Sequence, residues 1–418
     1  MNELSILFSK VLLCWLTIQV CLVVVFLLGL RSSQQPLLSD GELPKTAVIL
    51  CLRGADPYLG DCLRSLFNQN YPKYDLKLII DRQEDPSWQI AIDTIQAAGA
   101  TNVQIDSLRI IRHSCSLKCS SLLQVISDLD NSYQVIALVD ADTIVHANWL
   151  RELVNPLADP QVGATTGNRW YLPTGNHWGS LVRYIWNVST VVQMSLYSIP
   201  WGGSLAIKTE VLHQTEILDK WSRTLAEDTM IRGVLKKHHL KVKFVPSLIM
   251  LNREECKLPN LIPWLKRQIL AFRLYHPWWA GIVVETVLTV ALSTVFLLFL
   301  VLNIFTQQWN TAVFSLGCYI GYILALLLIT FVLEREIQKV IYHQQQPMNK
   351  LSFTQILKML IGIPLTHWVY GLTMLSSLWM SKVKWRGITY QVKSPWNIRL
   401  LDYRPYQLLD QPNGKISL

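Results

Sequence analysis

ALVDADTIVHANWL, residues 137–150, is the stretch on which the fold turns. An apolar run, Ala137 to Val139, ends in Asp140 and Asp142 with one small residue between them. Upstream the run extends to YQVIALVD (133–140), long enough for a buried strand. Downstream, HANWLRELV reads as a helix. A strand that delivers two carboxylates at its carboxyl end and then enters a helix is half of a βαβ unit. In extended backbone, residues two apart point to one side, so both aspartates can face one ligand. Taken alone, the pair also fits a turn or a helix cap.

The same pattern recurs on the N-terminal side. TAVILCL (46–52) precedes a helix at 57–69, DLKLIID (75–81) one near 87–98, and SLRIIRH (107–113) one near 116–129. Strands alternating with helices predict an α/β domain with a largely parallel sheet. Ligands of such sheets bind beyond the carboxyl ends of the strands. Arg53 follows the first strand, Asp81 ends the second, and Asp140 and Asp142 end the fourth. Hard oxygen ligands at the Asp140/Asp142 spacing suit Mg²⁺ or Mn²⁺ shared with a diphosphate.

Further stretches carry candidate chemistry. TLAEDTMIRGVLKK (224–237) places Glu227 and Asp228 at the start of an amphipathic helix. Acids there are ordinary partners of the helix dipole, and one of them is also placed to take a proton from an acceptor hydroxyl. In IPWGGSLAIKTEVL (199–212), Gly202 and Gly203 form a turn before a short strand, either a plain turn or a close approach to substrate. PWLKRQILAFRLYHPWW (263–279) combines Trp264, Arg267, Gln268 and Arg273 with an aromatic cluster. It reads as an interfacial amphipathic helix, from which an arginine can reach a diphosphate.

Half of the 418 residues are hydrophobic, and they are unevenly placed. Residues 11–30 are uncharged and long enough to span a bilayer. With no small-residue cleavage site they read as an uncleaved anchor, not a signal peptide. Apolar runs return at 281–305, 311–333 and 355–380. The last is interrupted by Pro364 and His367, and it either spans or folds back as a re-entrant pair. Loop 306–310 carries no charge and reads as outside, whereas Lys266, Arg267, Arg273, Arg335, Lys339 and Lys350 read as inside.

The organisation expected is an anchor and linker (1–42), a cytosolic domain (43–280), membrane segments (281–380) and a basic cytosolic tail (381–418). Lys382, Lys384, Arg386 and Lys393 also draw the tail inside. That conflicts with a single crossing by 355–380 and favours a re-entrant or interfacial segment. The net charge of +9 suits an anionic leaflet. No basic stripe interleaved with aromatics points to nucleic acid. Cys115 and Cys119 have no second pair to complete a metal site, so the eight cysteines read as reduced thiols.

Taken in order, these stretches resemble the family-2 inverting glycosyltransferases, most nearly the ceramide glucosyltransferase and bacterial lipid glycosyltransferase branch. VILCLRGADPYLGDCLRSLFNQNYPKYDLKLIID (48–81) is similar to that branch's opening strand and helix, including Gly54, Asp56 and Pro57. SLKCSSL (116–122) resembles its lysine loop, VDAD (139–142) its metal-binding aspartates and AED (226–228) its acid pair. KWRGITYQV (384–392) resembles a tail motif of the bacterial enzymes. The likeness covers 46–275 well and the rest in layout.

The resemblance implies a GT-A-like, Rossmann-type catalytic domain between N-terminal and C-terminal membrane helices. It implies a UDP-sugar donor, glucose on the nearest branch, Mg²⁺ or Mn²⁺, and a membrane lipid acceptor such as ceramide or diacylglycerol. On this reading Arg53, Asp81, Lys118, Asp140 and Gln268 bind the donor, and Asp140 and Asp142 bind the metal. Asp228 is the base, Arg267 steadies the leaving diphosphate, and Gly202, Gly203 and Glu227 lie on the acceptor side. One departure matters. WLKRQ (264–268) stands where the family has Gln/Arg-x-x-Arg-Trp, keeping Arg267 but ending in Gln268, which argues against a polymer product. Asp85 lies close enough to Asp81 to compete for its place. The rival readings are a processive polysaccharide synthase and a non-catalytic membrane scaffold.

Overall fold

The computed structural model describes residues 2–31, 37–346 and 350–406. Part of the expected linker and the last residues of the tail, 407–418, lie outside them. The chain opens with helix α1 (Asn2–Arg31). Strand β1 (Thr46–Leu52), α2 (Leu59–Phe67), β2 (Tyr74–Ile80), α3 (Pro86–Ala98), β3 (Val103–Ser107), α4 (Leu117–Asp128) and β4 (Val135–Val139) then alternate. After these come α5 (Trp149–Val154), β5 (Val162–Tyr171), α6 (Trp178–Leu196) and β6 (Ser204–Lys208). Short helices α7 (Thr209–Gln214), α8 (Ile217–Trp221) and α9 (Ile231–Lys237) lead to β7 (Lys241–Asn252) and α10 (Leu258–Tyr275). Three long helices close the membrane-associated part: α11 (Trp279–Phe305), α12 (Trp309–His343) and α13 (Phe353–Leu378). Strands β8 (Lys382–Trp385), β9 (Ile388–Ser394) and β10 (Asn397–Tyr403) end the described chain.

The main sheet has the order β3-β2-β1-β4-β6-β5-β7, and only β6 runs against its neighbours. The mostly parallel α/β expectation therefore holds. Strand β4 is buried at every position because helices cover both faces of the sheet. Leu52 pairs with Ile80 and Leu50 with Val139, so β1, β2 and β4 end along one edge. The strand order reverses beside β1, which opens a crevice at that edge.

Two local expectations are corrected. The third strand is Val103–Ser107, not 107–113. Leu108 N–H still bonds Ile80 O, but Arg109 N–H turns to the Gln124 side chain and the chain leaves the sheet. Glu227 and Asp228 do not open a helix. Helix α9 starts at Ile231, and Asp228 instead holds the turn before it, accepting from Thr229 N–H at 2.5 Å and Thr229 Oγ1 at 2.8 Å.

Four helices, α1, α11, α12 and α13, are long and apolar enough to cross a membrane. Helix α13 runs unbroken through Pro364, so the re-entrant pair is excluded. A proline removes one ladder bond, and here packing along the helix on α6 and α10 keeps the turns in place. The tail also differs from a simple basic extension. Residues 382–403 form a three-stranded antiparallel sheet. Arg386 and Gly387 have φ of +43° and +78°, a two-residue turn of the mirror-image hairpin type. The sheet packs on the catalytic domain: Leu117 N–H donates to Tyr390 Oη at 3.0 Å and Leu400 N–H to His113 O at 2.8 Å. Val383, Ile388, Tyr390 and Val392 share one core with Leu117, Leu122 and Ile136.

Candidate active site

The crevice at the strand ends opens into a cavity of ≈ 370 Å³. Asp140 and Asp142 enter it from the end of β4, Lys118 from the first turn of α4, and Glu227 and Asp228 from the turn before α9. Ser116 caps α4 by accepting from Cys119 N–H, which fixes the turn that carries Lys118. Lys118 Nζ lies 2.6 Å from Asp140 Oδ1 and 2.6 Å from Glu227 Oε1. Burial acts against its charge, but the two carboxylates outweigh it and hold the Lys118 pKa well above the usual lysine value. Burial is also the main reason that the Glu227 carboxyl is pushed up.

The glycine pair is explained by these neighbours. A Cβ on Gly202 would stand 2.1 Å from Glu227 Oε1, and one on Gly203 would stand 2.8 Å from Asp140 Oδ2. Gly202 N–H donates to Asp228 Oδ2 at 2.9 Å. The turn is thus packed among the acids and is more than a plain connection. It sets the position of Asp228 directly.

Asp142 accepts from Asn252 Nδ2 at 3.1 Å. Burial pushes its carboxyl up to about 7, with Asp140, Asp56 and Glu254 adding to the effect. Asp140 is paired with Lys118, Glu254 with Arg183 at 2.9 Å and Asp56 with Arg386 at 3.5 Å, which leaves Asp142 as the acid of this group without an ion pair among the described residues. Among the described residues no cluster of three or more His, Cys, Asp or Glu side chains could hold a metal alone. The Asp140/Asp142 pair therefore fits an ion whose other oxygens come from a ligand such as a diphosphate.

A pH dependence follows. The Asp142 value lies above the 3.8 of the free side chain, so the fold binds this proton more tightly than the unfolded chain does. The stability it gives is whole below about pH 4 and is lost as pH rises through about 7. Thermal melts should show Mn²⁺ raising Tm more at pH 8 than at pH 5, because the ion replaces the lost proton. Equal shifts at both pH values would defeat this account.

Besides Arg53, three guanidinium groups line the cavity, Arg169 on β5, Arg267 on α10 and Arg386 on the β8–β9 turn, the last 3.5 Å from Asp56. Burial, with Arg386 and Arg169 as like charges, lowers the Arg267 pKa to about 10. Each ring-stacks: Arg169 lies 5.3 Å from the Trp264 centroid, and Arg267 and Arg386 lie 5.7 and 5.3 Å from that of Trp385. Arg169 donates to Gln268 Oε1 at 3.4 Å, so Gln268 holds an arginine at the cavity wall. Converging cations suit an anion with several charged oxygens.

Arg53 and Asp81 meet at the ends of β1 and β2 as a buried ion pair. Arg53 also donates to Arg386 O at 2.7 Å and to Arg404 O at 2.5 Å. Asp81 Oδ2 accepts from Tyr403 Oη at 2.9 Å, while Oδ1 is buried without a hydrogen-bond partner. Both residues line the cavity, yet much of their bonding capacity ties the C-terminal sheet to the strand ends. Asp85, the competitor of Asp81, caps α3 and accepts from Gly54 N–H, a structural duty.

Sequence reading missed Arg169, Arg386 and Trp385. The Arg169 signal is faint, a lone charge in an otherwise uncharged strand. That of Arg386 was legible as a Trp-Arg-Gly turn between two alternating stretches. A non-glycine residue at positive φ is costly, of order 1–3 kcal/mol, and such strain concentrates at functional sites.

A doubly wound sheet that brings paired carboxylates and clustered arginines to one crevice is built for an anionic donor, and the class is the glycosyltransferases. Within that class the chain belongs to glycosyl transferase family 21, whose profile matches residues 8–398. A search of curated proteins found no match. Among solved structures, the chain is similar to a mannosyltransferase from Pyrobaculum calidifontis in complex with GDP-Man and Mn²⁺, at 13% identity and TM-score 0.48. That overlap covers 89% of this chain and 99% of the other. Glucosyl-3-phosphoglycerate synthase from Mycobacterium tuberculosis, in complex with Mn²⁺, UDP-Glc and glycerol 3-phosphate, overlaps at 14% identity and TM-score 0.36. There the overlap covers 57% of this chain and 84% of the other.

Proposed function

We propose that this protein is an inverting glycosyltransferase that moves one sugar from a UDP-sugar, with glucose as the first candidate, to the hydroxyl of a membrane lipid. The observation that carries the reading is the mixed lining of the cavity. Asp140, Asp142, Asp228 and Arg267 line it together with an apolar cluster, Trp279 and Ile282 of α11 and Tyr370 and Met374 of α13. A donor diphosphate suits the charged group, and an acceptor with apolar tails suits the apolar cluster. Ceramide and diacylglycerol both meet that description.

Asp228 accepts the proton of the acceptor hydroxyl as that oxygen attacks the anomeric carbon and inverts it. Its two oxygens are aimed by Gly202 and Thr229. Glu227 is less suited to the task because Lys118 already holds it. Arg267, Arg386 and Arg169 take up the charge that develops on the leaving diphosphate. Asp140 and Asp142 would hold Mg²⁺ or Mn²⁺, which supplies charge neutralisation at the diphosphate. Lys118 keeps Asp140 in place. Clustered Lys and Arg at the inner flanks of α11 and α12 favour a cytosolic catalytic domain.

The test is transfer by purified protein in lipid nanodiscs, with a panel of UDP-sugars, a lipid extract and Mn²⁺, read by lipid mass spectrometry. One added sugar per lipid is the expected product. A ladder of sugars would establish the processive reading, and the absence of any transfer across the panel would leave the scaffold reading.

A further inference from the structure

We propose that α13 does not cross the bilayer. It lies in the plane of the leaflet nearest the catalytic domain, with its buried face on the domain and its exposed face in lipid. The chain then crosses the membrane three times, through α1, α11 and α12.

Both ends of α13 are bonded to the catalytic domain. At its start, Gln355 Nε2 donates to Pro173 O and to Gly175 O, each at 3.0 Å. At its end, Arg273 of α10 donates to Ser377 O at 2.6 Å and to Met380 O at 3.0 Å. The middle touches the domain as well. A Cβ on Gly362 would meet Ile185 at 2.9 Å, and Val369 shares a core with Val182, Trp186 and Trp264. All these partners belong to segments directly before or after strands of the catalytic sheet. A helix of 26 residues is about 39 Å long. Standing upright from the domain, it would carry one end about 39 Å away. Contact at both ends requires it to lie along the domain.

Chain parity gives an independent argument. Helix α11 follows directly from α10, and the far end of α12 returns to the domain, where Gln344 Nε2 donates to Ser247 O at 2.7 Å. Residue 350 therefore starts on the side of the catalytic domain. Strands β8 to β10, after α13, are packed on that same domain through Tyr390 and Leu400. A crossing by α13 would place them on the opposite side. The conflict between the basic tail and a fourth span is thereby removed.

The exposed face identifies the partner. Phe353, Leu357, Ile361, Trp368, Leu372 and Trp379 recur at helical spacing along its whole length, with no charge among them. The opposite, buried face mixes Gln355, Thr366, Thr373 and Ser377 with Met359, Ile363, Val369 and Met374. A helix that faces water would carry polar residues on its exposed side. Beside the stripe the helix rests on a membrane span: His367 Nδ1 lies 3.2 Å from Ser293 Oγ of α11, and Gly371 packs on Val290. An apolar face beside a span belongs in the lipid leaflet. Tyr370 and Met374 also line the cavity, so α13 forms its sill at leaflet level. That last consequence rests on the lipid-acceptor reading, but the topology does not.

Two measurements on the full chain test the proposal, and neither needs activity. The first places epitope tags at the C-terminus, in the 130–132 loop and between Gln307 and Gln308, and probes them in selectively permeabilised cells. The C-terminal tag should appear on the side of the 130–132 tag, opposite the 307–308 tag. A C-terminal tag on the 307–308 side overturns the proposal. The second incorporates a nitroxide amino acid at Leu357 or Leu372 and measures its depth in nanodiscs. The two depths should agree within one helical turn, about 5 Å, whereas a difference of about 20 Å overturns the proposal.

Discussion

Asp228→Asn should lower kcat by about 10²–10⁴-fold, the usual contribution of a positioned general base. The substitution keeps size and shape but removes the proton acceptor. One oxygen can still take Thr229 N–H, while the amide nitrogen loses the bond from Gly202 N–H. That loss costs about 1 kcal/mol, too little to unfold a domain of this size. Donor KM and Tm should therefore stay near those of wild type, and the defect should sit in kcat. Initial rates with a UDP-sugar and a lipid acceptor, beside a thermal melt, separate these quantities. Near-wild-type turnover would remove Asp228 from the role and return attention to Glu227.

The second large effect concerns Lys118, whose ammonium bridges Asp140 and Glu227. Lys118→Met leaves two carboxylates facing a space with no cation. Breaking a fully buried pair costs about 3–5 kcal/mol. Lys118 and Asp140 are each about three-tenths exposed, at 27% and 31%, so solvent screening brings the expectation nearer 2 kcal/mol. Activity should fall with it, because Asp140 loses the group that holds it. The double variant Lys118→Met/Glu227→Gln removes one of the stranded charges and should recover part of the lost Tm. A Lys118→Met protein as stable as wild type would show that the bridge contributes no net stability.

Much of this was legible in the chain because the signals are local. Alternating apolar runs and helical patterns depend on a residue and its near neighbours, so β1, β2 and β4 fell close to their predicted places. The strand-end rule then located Arg53, Asp81, Asp140 and Asp142 together. Where the reading slipped, a distant partner had won. The third strand ends early because the Gln124 side chain takes the Arg109 amide. The helix after Glu227 starts late because Asp228 caps its own turn.

Other features depend on contacts far apart in sequence. The charge run in the tail reads as a solvated surface until Arg53 and Arg386 are seen bonded across more than three hundred residues. Arg386 then reaches the cavity with Arg169 and Arg267, and each alone is an ordinary charged residue. In the same way, the composition of α13 is that of a span. Only the bonds at both its ends, and the packing of the strands beyond it, assign its direction.

By itself the sequence determined the parallel α/β core, the carboxylates at its strand ends and the apolar segments that flank it, since periodicity and strand position encode them locally. The tertiary structure decided which charges meet: the Lys118 bridge, the three-arginine wall and the folded tail that closes it. Their positions follow from chain segments hundreds of residues apart packing on one sheet edge, and no local pattern records that geometry.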